Sequence, residues 1–332
     1  MNKDIKKIHF PHRPGSIGGP SSFQKRFEAK LREDGYIVLY SDDKIENSSV
    51  IFIVGGTRKI LWLLKNKMNG TKIILRLDGI NDYGFNLKNG FLNFIKSRLI
   101  HQITNFIRRK IANHVVYQSL YVKNVWDKYG NKFINSSIIY NAVSLDEFFP
   151  VRKNNKLENL RVIAVEGTVQ GDLALEALKA ITVTKIDVYG RVHAKIQKDV
   201  LMYQNKNVFF HGPIPLENIP KVFEGRKIYL CLEINPACPN SVIEALASGV
   251  PVIGYDSGSL SELVGNAGII MPYKGGNSNK MQAPNCESLN TAILTISKNY
   301  EYYSNLARNR ANKFFSLHDQ FLRYKDIIEN KI

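Results

Sequence analysis

The stretch Ile228–Gly268, IYLCLEINPACPNSVIEALASGVPVIGYDSGSLSELVGNAG, decides the fold class. Short apolar runs at its start and at Val250–Gly254 flank a helical pattern, and such runs are typical of parallel strands buried on both faces. Strand, helix and strand in this order form the unit from which parallel α/β sheets are built. The helical pattern carries one acid, Glu244, which either decorates the packing or holds a ligand.

The same alternation of strands and helices runs along both halves of the chain. The predicted strands are KKIHF, YIVLY, VIFIV, KIILRL, HVVYQ and SIIY in the first half, and RVIAV, KIDVY, NVFFH, IYLCL, VPVIG and GIIM in the second. Two alternating series predict an α/β protein with two Rossmann-like, doubly wound domains. A charged, Asn-rich stretch without pattern follows Pro150, so the expected domains are residues 1–150 and 151–332.

The charge of the 332-residue chain is large and unevenly distributed. Its net charge is +17, and residues 1–150 hold 24 Lys and Arg against 12 Asp and Glu, whereas the remainder holds 22 against 17. The first half therefore favours an anionic partner, such as a lipid surface or a phosphorylated substrate, over the simpler explanation of solubility. Nucleic acid is not expected, because the basic residues are spread over several elements and no zinc-finger or RNA-binding pattern is present.

The cysteine count and the hydropathy pattern favour a cytoplasmic protein. Cys231, Cys238 and Cys286 are sparse and irregularly spaced, which fits neither a disulfide framework nor a zinc site. The chain contains no uninterrupted apolar run of about 18 residues, so no transmembrane helix is expected. The first residues lack the apolar core of a signal peptide. The histidines show no metal-ligand spacing, so no metal is expected.

Two segments of the first half are candidates for binding. A glycine-rich turn with Gly18 and Gly19 precedes a helical pattern, and its free N–H groups would suit an anion; a tight turn without a ligand is an equal alternative. Arg76 and Asp78 follow the fourth predicted strand, at the edge where open α/β sheets bind ligands. These two residues form either part of a catalytic site or a local salt bridge.

The segment Phe91–His114 is basic and amphipathic. Its apolar residues recur at helical spacing, and the charged residues include Arg108, Arg109 and Lys110. Such a helix suits an anionic membrane interface. The alternative is an ordinary helix that covers the sheet and keeps a solvated rim.

The stretch Ile228–Gly268 also carries a family resemblance. Its core EALASGVPVI, followed by SGSLSELV, resembles the donor-site segment of retaining glycosyltransferases of family 4, which have the GT-B fold. GSIGGPSSF resembles the N-terminal glycine loop of that family, IIYNAVSLDEFFP its interdomain segment and NVFFHGPIPLENIPKVF its base-side loop. The resemblance implies two Rossmann-like domains that face each other across a cleft, with a C-terminal helix that either stays with the second domain or returns to the first.

The resemblance implies a nucleoside-diphosphate sugar held mainly by the second domain. It implies that Glu244 binds the ribose hydroxyls by charge-assisted hydrogen bonds. It also implies that the helix N-terminus at Asn240, Ser241 and Val242 faces the diphosphate and the donor sugar. The other implied donor-binding residues are Gly18, Gly19, Thr168, Gln170, Gly190, Arg191 and Ile214.

Two positions differ from the pattern of the family. The family carries a first Glu eight residues before the second, where this chain has Pro236, with Glu233 three residues earlier. It also carries an Arg and a Lys after the first strand of the second domain, where this chain has Thr168 and Gln170. The cations that remain available to the leaving diphosphate are Arg13, Arg191 and Lys195. Without them, backbone amides must suffice, or the protein is slow or not catalytic.

The function that the resemblance implies is retaining transfer of a sugar, without a required metal, to a lipid-linked or surface-polysaccharide acceptor. Catalysis would come from stabilising the leaving phosphate and orienting the acceptor, with Asp78 on the acceptor side. The basic first half suits a peripheral position on the cytoplasmic face of an anionic membrane. The alternatives are a soluble glycosyltransferase that acts on a protein or small glycan, and a non-catalytic protein that binds nucleotide sugars or glycans.

Overall fold

The computed structural model describes residues 7–15, 19–43, 49–80, 91–151, 161–169, 171–192, 207–225, 227–273 and 287–331. Two compact units divide the chain. The first contains residues 1–141 and 318–332, and the second contains residues 142–317.

A parallel six-stranded sheet is the centre of the first unit. Its strands are β1 (Lys7–Phe10), β2 (Ile37–Tyr40), β3 (Ser49–Val54), β4 (Lys72–Leu77), β5 (His114–Tyr117) and β6 (Ser136–Ile138), in the order β2-β1-β3-β4-β5-β6. The helices between them are α1 (Gly19–Glu33), α2 (Ile60–Met68), α3 (Phe91–Phe106) and α4 (Leu120–Gly130), and α3 continues into a π-helical turn at Ile107–Ile111. The central strands β3 and β4 are almost entirely buried, as expected for a sheet covered on both faces.

The second unit repeats this construction with a different strand order. Its strands are β7 (Arg161–Val169), β8 (Ile186–Val192), β9 (Val208–Gly212), β10 (Lys227–Leu230), β11 (Val252–Tyr255) and β12 (Gly268–Met271), in the order β12-β11-β10-β7-β8-β9. Its helices are α5 (Gly171–Ala180), α6 (Ile219–Val222), α7 (Asn240–Ala247), α8 (Leu260–Val264), α9 (Glu287–Lys298) and α10 (Tyr300–Phe314). All strand pairs in both sheets are parallel, so the predicted α/β fold class is confirmed.

The last helix, α11 (Leu317–Ile328), completes the core of the first unit. Phe321 and Tyr324 lie one helical turn apart and pack on aromatic rings of α1 and β3. Tyr324 lies 5.1 Å from Phe27 and 5.6 Å from Phe52, measured between ring centroids. Aromatic pairs at such distances add to the stabilisation from buried area, so the C-terminal segment is part of this core.

The division between the units falls at residue 141, whereas the sequence pattern placed the boundary at residue 150. The segment after Asn141 is held by the second unit through backbone bonds: Val143 N–H donates to Phe315 O at 3.1 Å, and Leu317 N–H donates to Val143 O at 3.1 Å. The guanidinium of Arg308 donates to the carbonyls of Phe148 and Ala247. Hydrogen bonding therefore sets this boundary earlier than composition indicates.

Candidate active site

Two sheet edges are the places where this architecture binds ligands. In an open parallel sheet, ligands bind outside the carboxyl ends of the strands, where the strand order reverses. The reversal lies at β1 and β3 in the first sheet and at β7 and β10 in the second. Functional side chains are therefore expected after Phe10 and Val54 in the first unit, and after Val169 and Leu230 in the second.

The loop after β10 is fixed by the turn that follows β11. Asn235 N–H donates to Ser257 Oγ at 2.7 Å, and Ser259 N–H donates to Pro236 O at 2.8 Å. Gly258 has φ 61°, and a Cβ there would lie 2.4 Å from the backbone N and O of Pro236. A side chain at residue 258 is thus excluded by both the conformation and the space. The Ser-Gly-Ser sequence is what this close packing requires.

Helix α7 begins beside this loop with two polar residues and is otherwise largely buried. The fully buried Tyr229 donates its hydroxyl to Ser241 Oγ at 2.8 Å, which fixes the Ser241 side chain. Asn240 Oδ1 is buried and has no hydrogen-bond partner in the described part of the chain. Val242 is fully buried, and Glu244 is half-buried. The structure therefore brings Asn240, Ser241 and Glu244 together on one helix.

Glu233 is the carboxylate that follows β10 most closely. Its side chain keeps an exposed surface, while desolvation by the surrounding protein raises the pKa of its carboxyl. Pro236, at the position where the related family carries its first Glu, is buried and accepts the hydrogen bond from Ser259. The loop therefore presents a carboxylate from residue 233 and none from residue 236.

The strands β7 and β8 are irregular where the sequence predicts diphosphate-binding residues. Between the pairs Val165–Tyr189 and Thr168–Arg191, β7 contains one residue more than β8, which makes a bulge. Gly190 lies in this segment with φ 121°. The side chain of Arg191 is exposed. This cation therefore lies on the strand next to Thr168.

The remaining predicted donor residues are distributed differently. Ile214 follows β9 and is half-buried. Gly19 is the exposed first residue of α1, and a Cβ there would meet nothing within 4 Å. Gly18, Gln170 and Lys195 lie outside the described residues.

A polar cluster at β8 and β9 was not predicted. His211 is the extra residue of a bulge in β9, because Phe210 pairs with Val188 and Gly212 pairs with Tyr189. Its ring stacks on Tyr189 at 4.6 Å, and its Nε2 lies 2.8 Å from an oxygen of the buried Asp187. The acid in the otherwise apolar run KIDVY was the one sequence signal of this cluster.

In the first unit, Arg76 and Asp78 form a clamped pair at the end of β4. Arg76 is 2% exposed and donates to Asp78 Oδ1 at 2.6 Å and to Asn141 Oδ1 at 2.8 Å. Its guanidinium also lies 4.0 Å from the ring centre of Phe23. Gln118 donates to the same Asp78 oxygen at 2.6 Å. Arg76 therefore lies below the surface and positions Asp78, whose side chain is 27% exposed.

The second carboxylate oxygen of Asp78 lies above the glycine that follows β3. A Cβ on Gly55 would be 3.1 Å from Asp78 Oδ2, and Gly55 has φ 75°. Glycine at this position therefore keeps the space that Asp78 occupies. Trp126 adds a hydrogen bond from its indole N–H to the Asp78 carbonyl at 2.9 Å. Both the side chain and the backbone of Asp78 are fixed.

A second network at this edge, which the sequence analysis did not predict, joins the ends of β1, β2 and β3. His12 Nε2 lies 2.9 Å from Thr57 Oγ1, which also accepts from Lys59 N–H at 3.2 Å. Lys59 Nζ donates to Ser41 Oγ. Burial, together with the Lys59 charge, lowers the pKa of His12. The paired glycines before Thr57 were the only local signal.

One of the three basic residues at the end of α3 does not lie on the charged surface that the sequence predicted. Arg108 was expected on a charged surface, but it is fully buried, with hydrogen bonds to Asp127, to Tyr117 Oη at 2.7 Å and to Asn131 O at 2.8 Å. The π-helical turn changes the direction in which residues 107–111 face, so the simple helical spacing misplaced this side chain. Arg109 and Lys110 are exposed.

The solvent side of α3 carries a row of apolar side chains. They are Leu92 (81% exposed), Ile95 (38%), Leu99 (54%) and Phe106 (43%). Their spacings of three, four and seven residues place them on one face of the helix. Lys96 and Arg98 are exposed on the same helix. No helix in the described part of the chain is long and apolar enough to cross a membrane.

Within the described residues, no three His, Cys, Asp or Glu side chains lie together as a metal site would require.

Solved structures similar to this chain share its architecture over nearly its whole length. Sucrose-phosphate synthase from Thermosynechococcus elongatus is 14% identical, with 98% of each chain covered and a TM-score of 0.73. WaaG, a glycosyltransferase involved in lipopolysaccharide biosynthesis, is 14% identical, with 97% of this chain and 99% of that chain covered and a TM-score of 0.68. HepE from Anabaena, in complex with UDP-glucose, is 15% identical, with 98% and 99% covered and a TM-score of 0.68. These likenesses establish the GT-B fold.

A likeness in sequence to a known family is found in the second unit. Residues 152–313, just under half of the chain, match the family model for glycosyl transferases group 1. This part of the chain is therefore similar to glycosyl transferases group 1. No curated protein matches the chain as a sequence relative.

Proposed function

We propose that the protein transfers a sugar from a nucleoside-diphosphate sugar to a lipid-linked or surface-polysaccharide acceptor, with retention at the anomeric carbon. The observation that carries the donor part is the start of α7, beside the β7–β10 reversal. A fixed hydroxyl, a half-buried carboxylate and a buried amide oxygen that has no partner among the described residues lie there together. HepE, which shares the fold, was crystallised with UDP-glucose.

In this proposal, α7 binds the donor at two points. The N-terminus of α7 offers free N–H groups and the positive end of its dipole to the diphosphate. Glu244, one turn further on, accepts hydrogen bonds from the vicinal hydroxyls of the ribose. Val242 supports the helix from its buried side, and Ile214 provides an apolar contact for the base.

The residues that would stabilise the leaving diphosphate differ from those of the family that the chain resembles. Thr168 and Gln170 occupy positions where a cationic pair is usual, so another positive group must take this role. Arg191 is the candidate from the second unit, because it is exposed on β8 and pairs with Thr168 in register. Backbone N–H groups at Gly190 and at the start of α7 would add to it.

On the acceptor side, Asp78 orients the attacking hydroxyl. Its Oδ1 is occupied by Arg76 and Gln118, so Oδ2 is the oxygen left for a substrate hydroxyl. Arg76 acts through Asp78 and is a positioning residue, because its buried guanidinium does not reach a ligand. A carboxylate with a fixed direction lowers the entropy that must be lost when the acceptor is aligned.

The test of the donor proposal is a thermal-shift screen with UDP, dTDP, GDP, ADP and CMP, followed by a transfer or hydrolysis assay with the matching nucleotide sugars. A nucleotide present at 100 times its Kd adds about 2.7 kcal/mol to stability. Binding of none of these nucleotides would contradict the proposal.

A non-catalytic nucleotide-sugar-binding protein is the second candidate, favoured by Pro236 and by the uncharged Thr168 and Gln170. The same assay separates the two functions. Binding without turnover for any donor sugar would support the binding protein, and retention of configuration in a transferred product would support the enzyme.

The proposed setting is the cytoplasmic face of an anionic membrane. The exposed row Leu92, Ile95, Leu99 and Phe106 would enter the interface, while Lys96 and Arg98 would contact anionic headgroups. Each Lys or Arg near such a surface contributes about 1 kcal/mol. This surface would bring the enzyme to a lipid-linked acceptor.

Vesicle sedimentation tests this setting. Replacing Leu92, Leu99 and Phe106 by Ser should reduce binding to vesicles that contain anionic lipid, whereas Leu294→Ser, at an exposed leucine of the second unit, should not. Equal sedimentation with neutral and anionic vesicles would contradict the proposal.

A further inference from the structure

The end of β1 is held in place by hydrogen bonds from neighbouring elements. Gln24 of α1 donates to His12 O at 2.8 Å, and Ser41 Oγ at the end of β2 donates to Pro11 O at 3.0 Å. Thr57, at the end of β3, bonds the His12 ring at 2.9 Å. Three strand ends are thus joined through side chains, and the exposed imidazole of His12 has a fixed orientation.

The contact of His12 Nε2 with Thr57 determines which ring nitrogen of His12 carries the proton. Thr57 Oγ1 accepts a hydrogen bond from Lys59 N–H, and its own proton can be donated to His12 Nε2. The proton of a neutral imidazole then resides on Nδ1. In the described part of the chain, Nδ1 has no partner, so it is available as a donor to a ligand.

Cations follow both His12 and its hydrogen-bond partner Thr57 in the sequence, and the charge of Lys59 acts on His12. Arg58 and Lys59 follow Thr57 and are both exposed, and Arg58 has no ion-pair partner among the residues that the structure describes. Arg13 stacks over Tyr40 at 4.1 Å and lies 3.9 Å from Asp42.

The acids at this edge are already engaged. Asp43 accepts from Tyr40 N–H at 2.7 Å, and Asp42 lies beside Arg13. Arg58 and Lys59 therefore remain for an anion. The start of α1, with open space at Gly19, adds a positive helix end at the same edge because α1 follows β1.

From this juxtaposition we infer a phosphate-binding subsite for the acceptor at the ends of β1 and β3, formed by His12, Arg58 and Lys59. The inference rests on the proposed glycosyl transfer and gives the acceptor a chemical class: a sugar or polyol that carries a phosphate or diphosphate ester. Guanidinium, ammonium and imidazole donors together suit phosphate oxygens better than the hydroxyls of a neutral glycan.

The spacing to Asp78 fits such an acceptor. The strand order β1-β3-β4 places Asp78 two strands from His12, which is roughly 10 Å at about 4.8 Å per strand. A hexose phosphate has about this length. With its phosphate at Lys59, such a molecule would bring a hydroxyl to Asp78 Oδ2.

The test is a titration of the full chain, labelled with ¹³C-histidine, with inorganic phosphate and with pyrophosphate. The His12 signal, assigned with His12→Gln, should move on titration, and the imidazole pKa should rise because a bound anion favours the imidazolium. The variant with Arg58→Ala and Lys59→Ala should bind about tenfold more weakly for each cation removed. Lys128→Ala, at an exposed lysine of α4, should bind like the wild type.

Two further measurements distinguish a lipid-linked from a soluble phosphorylated acceptor, and the phosphate subsite from the donor site. Phosphatidylcholine vesicles with and without a polyprenyl phosphate should perturb His12 differently if the acceptor is lipid-linked, whereas a soluble sugar phosphate should act without vesicles. Nucleotide binding by the second unit is measured on the same variants. An unmoved His12 signal with intact nucleotide binding overturns the subsite alone, and a moved signal without nucleotide binding overturns the donor proposal alone. Unchanged affinity in the double variant also overturns the subsite.

Discussion

The carboxyl edges of the two sheets are formed by different chemical groups. In the first unit, long side chains form closed networks, with Arg76 fixing Asp78 and Thr57 fixing His12. In the second unit, small residues and the backbone form the edge, and the loop after β10 is fixed by main-chain contacts at Pro236 and Gly258. The first edge presents fixed charges, and the second presents helix and loop backbone.

Under the proposed function, the difference corresponds to two kinds of recognition. Backbone N–H groups at a helix start suit a diphosphate, which every nucleotide-sugar donor would share. Individually placed charges suit an acceptor whose chemistry varies between enzymes, because one substitution changes the recognised group. Substitutions at the two edges should therefore differ in their effects on stability and on nucleotide binding. The following predictions test this difference from the largest effect to the smallest.

Arg76→Ala should have the largest effect. It leaves the carboxylate of Asp78 and the amide of Asn141 without their buried cation, and removing one partner of a buried pair costs about 3–5 kcal/mol. Urea unfolding followed by tryptophan fluorescence measures this, because both tryptophans, Trp62 and Trp126, belong to the first unit. Arg32→Ala is the matched control, since Arg32 pairs with Glu28 at 3.3 Å but is half exposed. Equal losses in the two variants would show that burial of Arg76 does not matter.

Gly258→Ala should come next. The new Cβ would overlap Pro236 backbone atoms in a left-handed conformation, which should cost about 2–3 kcal/mol and displace the loop before α7. Nucleotide affinity should fall together with stability. Gly19→Ala provides the control in the first unit, since a Cβ there has open space. Wild-type stability of Gly258→Ala by calorimetry would mean that this loop is not fixed by close packing.

The fold was largely predictable from the sequence. Each of the twelve predicted apolar runs coincides with an observed strand, because a strand buried on both faces leaves a continuous apolar signal. The helix start at Asn240 and Ser241, which the family resemblance implied, is also observed. Local patterns therefore sufficed where the structure depends on local conformation.

The features that the sequence did not reveal arise where distant residues meet or where an element is locally irregular. Arg76 is buried because Gln118 and Asn141, far away in sequence, complete its network with Asp78. Arg108 faces inward because of a π-helical turn, which simple periodicity does not reveal. His211 is directed by a strand bulge. None of these features leaves a periodic trace in one sequence.

Glu244→Ala should weaken nucleotide binding by about 10- to 100-fold if Glu244 is the ribose ligand, because a charge-assisted hydrogen bond contributes about 1.5–3 kcal/mol. The fold should persist. Calorimetric titration with the best nucleotide, together with circular dichroism, measures both quantities. Glu176→Ala, at an exposed acid of α5, serves as the control. A folded Glu244→Ala that binds like the wild type would exclude the ribose role.

The smallest effect should be an opposite response of the two units to acid. Burial lowers the pKa of His114 below its ordinary 6.5. The hydrogen bond with Asn135 offsets this lowering only in part, and the charge of Lys72 adds to it. Protonation of His114 therefore favours the unfolded form of the first unit. Its stability should therefore be complete above pH 6.5 and fall as the pH drops through the lowered pKa. Burial raises the pKa of Glu233, so this carboxyl favours the second unit at low pH and loses that contribution as the pH rises through the raised pKa. Between about pH 7 and 5, tryptophan-detected unfolding should show a weaker first unit, while hydrogen exchange corrected for intrinsic rates should show a slightly stronger second unit. His114→Gln should reduce the first response and exposed His318→Gln should not; a first unit that gains stability on acidification would reverse the assignment.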